Sequence, residues 1–306
     1  MAASLVLGSV QLGLPYGITN ATGKPSRADA LRLVRRALDA GISEIETARA
    51  YGESEERLGD AMHGRKFART VTKLSPLPDL PADAPRAIVR AAVDESVAQS
   101  LRALKRERID CLLVHRAAHM TSHEGAIWER LIEFLEDGTV LSLGVSVQTP
   151  ADAHAALRTP DVSQIQMPFN LLDWRWRESG VIDAIEERTS ITVHARSVFL
   201  QGLLANPACC WPAIAGVDAE SLTKRIEELA REYGRECAAD LCVAYVRGQR
   251  FIDGVVIGME TPDQLEENLR LFLRPPLAAD ACAEVEKRIP RVPETLLNPS
   301  LWPTRP

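Results

Sequence analysis

Three apolar runs in the first 115 residues each end on a side chain that can move or bias a proton. Ile42 to Ala50 leads to Tyr51, Thr70 to Thr72 leads to Lys73, and Cys111 to Val114 leads to His115. A phenol with an ordinary pKa of about 10, an amine and an imidazole form a proton-transfer set once they converge. Residues from separate strand ends converge only where the strands are neighbours running the same way. A parallel β/α sheet meets that condition, and a β/α barrel gathers every strand end around one mouth.

The elements that would position them alternate along the chain. Short β-branched runs separated by longer helical patterns are the signature of βαβ units. Strands are expected at 5–7, 44–47, 70–73, 110–114, 143–146, 164–166, 192–195 and 254–257, enough to close a (β/α)8 barrel. Ser26 can cap a helix with Asp29 as its reciprocal partner, Leu31, Leu33, Val34, Ala37 and Leu38 share one face, and Gly41 stops it. A helix follows Ser54. Another runs from about Pro85 to Leu104, its stripe read as Ile88, Ala92, Val97, Leu101 and Leu104. Trp128, Leu131, Ile132 and Leu135 mark a fourth, stopped by Gly138. Later helices start near Thr149-Pro150, Glu178, Ser221 and Thr261-Pro262, and one covers 278–289. Residues 203–220 read as a loop over the mouth, and 290–306 as a Pro-rich tail. No linker divides residues 1–306, which are expected to form one domain.

Bulk properties exclude several classes. A hydrophobic share of 46% and a charged share of 25% describe an ordinary globular protein. The net charge of −6, with no Lys/Arg block interleaved with aromatics, argues against a nucleic-acid partner. No run approaches the roughly 18 apolar residues of a membrane span. Six cysteines without a C-x-x-C pair read as reduced thiols, and the N-terminus lacks a basic n-region, so a cytoplasmic place is expected. The spacing leaves the oligomeric state open.

Motifs that fail are as telling. G-x-G-x-x-G occurs nowhere. Gly17 to Gly23-Lys24 falls short of a P-loop, because five residues separate the glycines and Pro25 follows the lysine. His115, His119 and His123 straddle a strand end, a loop and a helix start, so their spacing does not gather them on a metal. No metal site is expected, and His119 and His123 read as solvated loop residues.

The segment Gly41-Ile42-Ser43-Glu44-Ile45-Glu46-Thr47-Ala48-Arg49-Ala50-Tyr51-Gly52-Glu53-Ser54-Glu55 resembles the G-I-N-x-x-D-T-A-x-x-Y-G-x-S-E signature of the aldo-keto reductases. Leu7-Gly8-Ser9, Thr72-Lys73, Ile109 through His115, Gly144-Val145-Ser146, Gln166 through Leu172, Gln201-Gly202-Leu203-Leu204 and Ile257-Gly258 through Asn268 follow in the family's order. The resemblance implies a (β/α)8 barrel that binds an extended NAD(P)(H) cofactor without a Rossmann motif and reduces aldehydes or ketones. Tyr51 would be the general acid, Lys73 would lower its pKa, His115 would orient the carbonyl oxygen, and Glu46 would hold Lys73 charged. Cofactor contacts are implied at Gly8, Ser9, Ser146, Gln166, Arg196, Ser197, Gln201, Gly202, Gly258, Glu260, Gln264, Glu267 and Asn268.

Three positions depart from the pattern. Glu46 stands where the family usually has Asp, which preserves charge with one more methylene. Arg196 replaces an aromatic that commonly stacks on the nicotinamide; its guanidinium can stack, bind an anionic substrate or meet the pyrophosphate. Glu260 stands where NADPH-preferring relatives commonly carry Arg or Lys, and Gln264 replaces another frequent cation. A carboxylate about 4 Å from a phosphate oxygen costs on the order of 1 kcal/mol in water and several in a less polar site, so NAD(H) or dual use is expected.

Trp174, Trp176 and Trp211 lie in the predicted mouth loops, where indoles either meet the face of a sugar or aromatic substrate or pack the loops. The leading expectation is an oxidoreductase acting on a small carbonyl or sugar-like alcohol. A non-catalytic cofactor-binding subunit of the same fold stands beside it, as does an unrelated barrel hydrolase or isomerase using Glu46 or Glu44.

Overall fold

The computed structural model describes residues 3–65 and 68–303, so the termini of the expected 1–306 unit lie outside the described residues. The β-branched runs form eight parallel strands: β1 Ser4–Gly8, β2 Glu44–Glu46, β3 Arg69–Lys73, β4 Cys111–Val114, β5 Leu143–Ser146, β6 Val162–Pro168, β7 Thr192–Arg196 and β8 Gly254–Gly258. Each pairs with the next in sequence and β8 pairs back onto β1, closing a (β/α)8 barrel. The closing register sets Ser4 against Gly254 and Gly8 against Gly258.

Local chemistry sets the helix ends where it was expected to. Ser26 accepts a hydrogen bond from the Asp29 N–H at the head of helix Arg27–Asp39, and Gly41 takes a φ of +93° just beyond it. Thr149 and Asp152 complete a capping box on helix Pro150–Arg158, and Thr261 caps helix Pro262–Leu273. Helix Arg86–Leu104 buries Val89, Val93, Ser96, Val97, Ser100 and Leu104, while Ile88 is 55% exposed. On the N-terminal half the buried face is Val89 and Val93 and not the expected Ile88 and Ala92, as both pairs match the helical period equally well.

Two further differences bear on the mouth. Helix Ala238–Arg247 was not anticipated: Leu241 to Val246 is apolar and buried throughout, so it carries no period, and Cys237 makes no side-chain cap bond. The expected loop after β7 contains two short 3₁₀ turns, Leu203–Ala205 and Ala208–Cys210, before helix Ala219–Glu232. The segment after residue 290 folds back, with Val292, Leu296 and Leu297 buried.

Strand alternation gives the barrel a layered interior. Val71, Cys111 and Leu113 form an apolar cluster of their own, separate from the shell between sheet and helices. Below it, at the N-terminal end of the strands, a polar layer crosses the barrel. Arg69 pairs with Glu44 and donates to Gln164 Oε1 at 2.8 Å, and Gln164 lies 3.0 Å from His194 Nδ1. Glu44 thus belongs to this lower layer, which removes the acid/base role offered for it. Burial raises its pKa, against the pull of Arg69.

Burial pushes the His194 imidazole down to about 3, with Arg69 and Lys73 adding to the shift. Its folded pKa therefore lies below the ordinary value of about 6.5, and its contribution to stability is complete above 6.5 and lost as pH falls toward 3. Between pH 6.5 and 5 a neutral buried histidine weakens the fold by about 1.4 kcal/mol per pH unit as the limiting slope. Denaturant midpoints over that range should fall in the wild type and fall less in His194→Gln; parallel curves for the two proteins would contradict a neutral, buried His194.

No disulfide forms among the described residues, and Cys111, Cys242 and Cys282 are buried. Among the described residues, no helix is long and apolar enough to cross a membrane, and no cluster of His, Cys, Asp or Glu could hold a metal.

Candidate active site

One cavity of about 1100 Å³ opens at the C-terminal ends of the strands and is lined by Glu46, Tyr51, Lys73 and His115 together. Lys73 ends β3, His115 directly follows β4 and Tyr51 lies in the loop five residues past β2, and the three converge at the mouth. Lys73, 1% exposed, closes β3 and donates to Tyr51 Oη at 3.0 Å and to the Thr47 carbonyl at 3.2 Å. Its main partner is the Glu46 carboxylate, 3% exposed, with which it forms a direct ion pair. The extra methylene of Glu46 has therefore not cost the contact. The same Glu46 oxygen accepts the Tyr51 hydroxyl at 3.3 Å. The His115 and Tyr51 rings meet edge to face with centroids 6.0 Å apart.

Burial dominates the proton affinities. It holds the Tyr51 phenol above its ordinary value, while the nearby Arg196 guanidinium pulls the other way. The expected lowering by Lys73 does not prevail, because a low-polarity wall disfavours the phenolate and the ammonium is engaged by Glu46. Burial likewise lowers Lys73, reinforced by Arg196. His115 is pushed down to about 3 by burial first, then by Lys73, Arg196 and Arg116. It is a neutral imidazole at pH 7, with Nδ1 buried and unpartnered.

Supporting groups were partly visible in the sequence. Glu55 is buried, accepts the Thr72 hydroxyl at 2.6 Å and pairs with Arg49, which fixes the backbone beside Lys73. Ser54 donates to the Ser9 carbonyl at 2.9 Å and joins the Ser9 and Thr47 hydroxyls. Ser9 thus ties the loop after β1 to the loop after β2. It is fully buried and absent from the cavity wall, so its expected cofactor contact is not supported.

The remaining expected contacts, Gly8, Ser146, Gln166, Arg196, Ser197, Gln201, Gly202, Gly258, Glu260, Gln264, Glu267 and Asn268, all line the cavity. Gln166 is fully buried and neither its Oε1 nor its Nε2 has a partner, an expensive arrangement unless a polar ligand completes it. A second carboxamide is the natural complement. Gly8 and Gly258 are register partners, and a Cβ on Gly8 would stand 3.1 Å from the Gly258 nitrogen. Ser197, Leu200 and Gln201 all take positive φ, a conformation costly for side-chain-bearing residues and found at ligand clamps. A long wall of this kind with an orphaned carboxamide fits the dinucleotide that the sequence resemblance implies.

Sequence reasoning missed Gln11, Tyr16, Thr19, Asn20, Arg116 and Cys237 in the wall. Tyr16 to Asn20 bridges the cavity: Thr19 donates to the Gln201 carbonyl at 3.2 Å, and Gln201 Nε2 to Tyr16 Oη at 3.3 Å. The superficial P-loop is this strap. His119 is buried rather than solvated. The tryptophans do not line the cavity. Trp174 donates to the Val292 carbonyl, Trp176 to Asp173 and Trp211 to the Leu203 carbonyl, so each indole packs a loop. The indole argument for a sugar or aromatic substrate falls with them.

Known proteins are similar to this chain in sequence and in fold. The sequence model of the aldo/keto reductase family matches residues 4–289. The chain is 28% identical over 272 residues to 6-dehydroglucose reductase of Novosphingobium aromaticivorans, covering 73% of this chain and 87% of that protein. It is 26% identical over 313 residues to pyridoxal 4-dehydrogenase of Microbacterium luteolum, covering 88% and 89%. The fold superimposes on the holo form of aldo-keto reductase AKR11C1 from Bacillus halodurans with a TM-score of 0.74 at 22% identity, over 95% of this chain and 93% of that one. The chain belongs to the aldo/keto reductase family and is a carbonyl oxidoreductase.

Proposed function

We propose that the protein reduces the carbonyl of a small aldehyde, ketone or sugar-like substrate, or oxidises the corresponding alcohol, with Tyr51 as the general acid or base and NAD(H) as its better cofactor. The observation that carries this reading is the Tyr51 hydroxyl, which accepts from Lys73 at 3.0 Å and faces the cavity shared with His115.

A bound dihydronicotinamide supplies the hydride that the carbonyl carbon receives. Gln166 and Ser146 would hold its carboxamide. In the site as it stands the Tyr51 proton points to Glu46; a substrate carbonyl takes over as acceptor, and the proton passes from the phenol to the carbonyl oxygen. Lys73 then stabilises the phenolate left behind, and Glu46 keeps the ammonium charged. Neutral His115 donates a hydrogen bond to the same oxygen and orients it. In the oxidative direction each step reverses. The relatives named 6-dehydroglucose reductase and pyridoxal 4-dehydrogenase accord with a small carbonyl or sugar-like partner in either direction.

Cofactor preference follows from charge. The cations on the cavity wall are Lys73, Arg116 and Arg196, while the wall beyond β8 carries Glu260 and Glu267. Glu260 is fixed by Gln264, whose Nε2 donates to its Oε1 at 3.1 Å and whose Oε1 accepts the Glu260 N–H at 2.8 Å. A carboxylate held there accepts a ribose diol and repels a 2′-phosphate. Fluorescence titration should give a Kd for NADH at least about tenfold below that for NADPH, since 1.4 kcal/mol is tenfold. Equal or tighter NADPH binding would refute the preference, and no cofactor oxidation at 340 nm with any carbonyl would refute the reaction.

A further inference from the structure

We propose that the substrate carries an anionic group, a carboxylate or a phosphate ester, and that Arg116 is the residue that docks it; this rests on the carbonyl-reductase reading above. The argument is an inventory of charge around the cavity. Its acids are Glu46, Asp152, Glu260 and Glu267. Glu46 is committed to Lys73. Asp152 accepts the Gln148 and Thr149 backbone N–H groups at 3.2 and 3.0 Å in its capping box. Glu260 follows β8, and Glu267 lies on the helix after it. That leaves two guanidiniums at the Tyr51 end, and neither has a carboxylate partner among the described residues.

Arg196 is satisfied by neutral groups: the Val147 carbonyl at 3.1 Å, Gln148 Oε1 at 2.8 Å and Ser197 Oγ at 3.3 Å. Those bonds carry it from β7 toward the end of β5, across the wall that holds Gln166. Arg116 is exposed and directly follows His115; its carbonyl accepts the His119 N–H at 3.0 Å, but its guanidinium makes no hydrogen bond or ion pair among the described residues. Other exposed arginines without a side-chain partner among the described residues, such as Arg35, Arg108, Arg158 and Arg250, lie away from the cavity, whereas Arg116 is on its wall.

Position separates Arg116 from the cofactor. It leaves β4, which stands diametrically across the eight-stranded ring from β8. The loop after β7 and the segment after β8 supply most of the expected dinucleotide contacts, and none is expected from the loop after β4. A cation on the opposite rim, beside the imidazole that orients the carbonyl, faces the other reactant. An unpaired guanidinium there attracts a planar carboxylate or a phosphate and offers either a two-pronged contact.

The experiment compares matched carbonyls with NADH: 4-carboxybenzaldehyde against methyl 4-formylbenzoate, and glyceraldehyde 3-phosphate against glyceraldehyde. At least one anionic member should show a kcat/KM tenfold or more above its neutral counterpart, and the pair with the larger ratio identifies the anion. Arg116→Ala should reduce that ratio at least tenfold, through KM rather than kcat, and Arg116→Lys should restore part of it. Added salt should weaken turnover of the anionic member more than that of the neutral one. Turnover of neutral and anionic members at equal kcat/KM, or a ratio unchanged in Arg116→Ala, would overturn the inference while leaving the reductase reading standing. Absence of cofactor oxidation with every compound would overturn both.

Discussion

Tyr51→Phe is expected to lower kcat for carbonyl reduction by about 10²- to 10⁴-fold, the range supplied by a positioned general acid. The substitution removes one oxygen and keeps the ring, so the edge-to-face contact with His115 and the Lys73 ammonium 4.7 Å from the ring centroid persist. Lys73 retains Glu46 and the Thr47 carbonyl as partners. Cofactor Kd should therefore stay within a few-fold, locating the loss in chemistry rather than binding. The pH profile should agree. Burial keeps the wild-type phenol protonated through the neutral range, and His115, at about 3, contributes no inflection near 6.5. Turnover by Tyr51→Phe at the wild-type rate would remove the residue from its role.

Lys73→Met should destabilise the fold by about 3–5 kcal/mol, because it strands a carboxylate that is 3% exposed. The double variant Lys73→Met/Glu46→Leu should regain most of that loss, since two apolar side chains of similar volume replace a buried ion pair at little net cost. Both proteins should be inactive, which separates stability from catalysis: the pair serves the proton, while the fold only requires that neither charge be left alone. Urea denaturation of the four members of the cycle measures the coupling. Additive single effects would show that Lys73 and Glu46 do not depend on each other.

The barrel was legible in the sequence because each strand is a short β-branched run whose neighbour in space is its neighbour in order. Lys73 and His115 were legible for the same reason, as a parallel strand delivers its end to the mouth; Tyr51, five residues beyond β2, was legible through the motif that surrounds it. What escaped depends on partners remote in the chain. The bond from Trp174 to the Val292 carbonyl spans more than a hundred residues, and no local pattern announces it. Ser9 lies off the cavity wall with its hydroxyl taken by Ser54, the first residue of the helix Ser54–Met62, a bond that its own strand does not announce. Arg116 carries a local signal of its own, a charge immediately after a strand-end histidine. The tryptophans show the converse error, where residue type alone suggested a ligand face and buried hydrogen bonds decided otherwise.

Closure of the ring between β1 and β8 has a consequence for biosynthesis. The partners Ser4 and Gly254 are about 250 residues apart, and at 5–20 residues per second the first strand waits roughly 12–50 s on the ribosome for its mate. For most of that interval Glu46, Tyr51 and Lys73 already exist in the nascent chain, yet β1 has an open edge and the wall from Gly254 onward has not been made. Such an edge is where premature association begins. Turnover and the end of this vulnerable period therefore arrive together, with the strand that closes the ring.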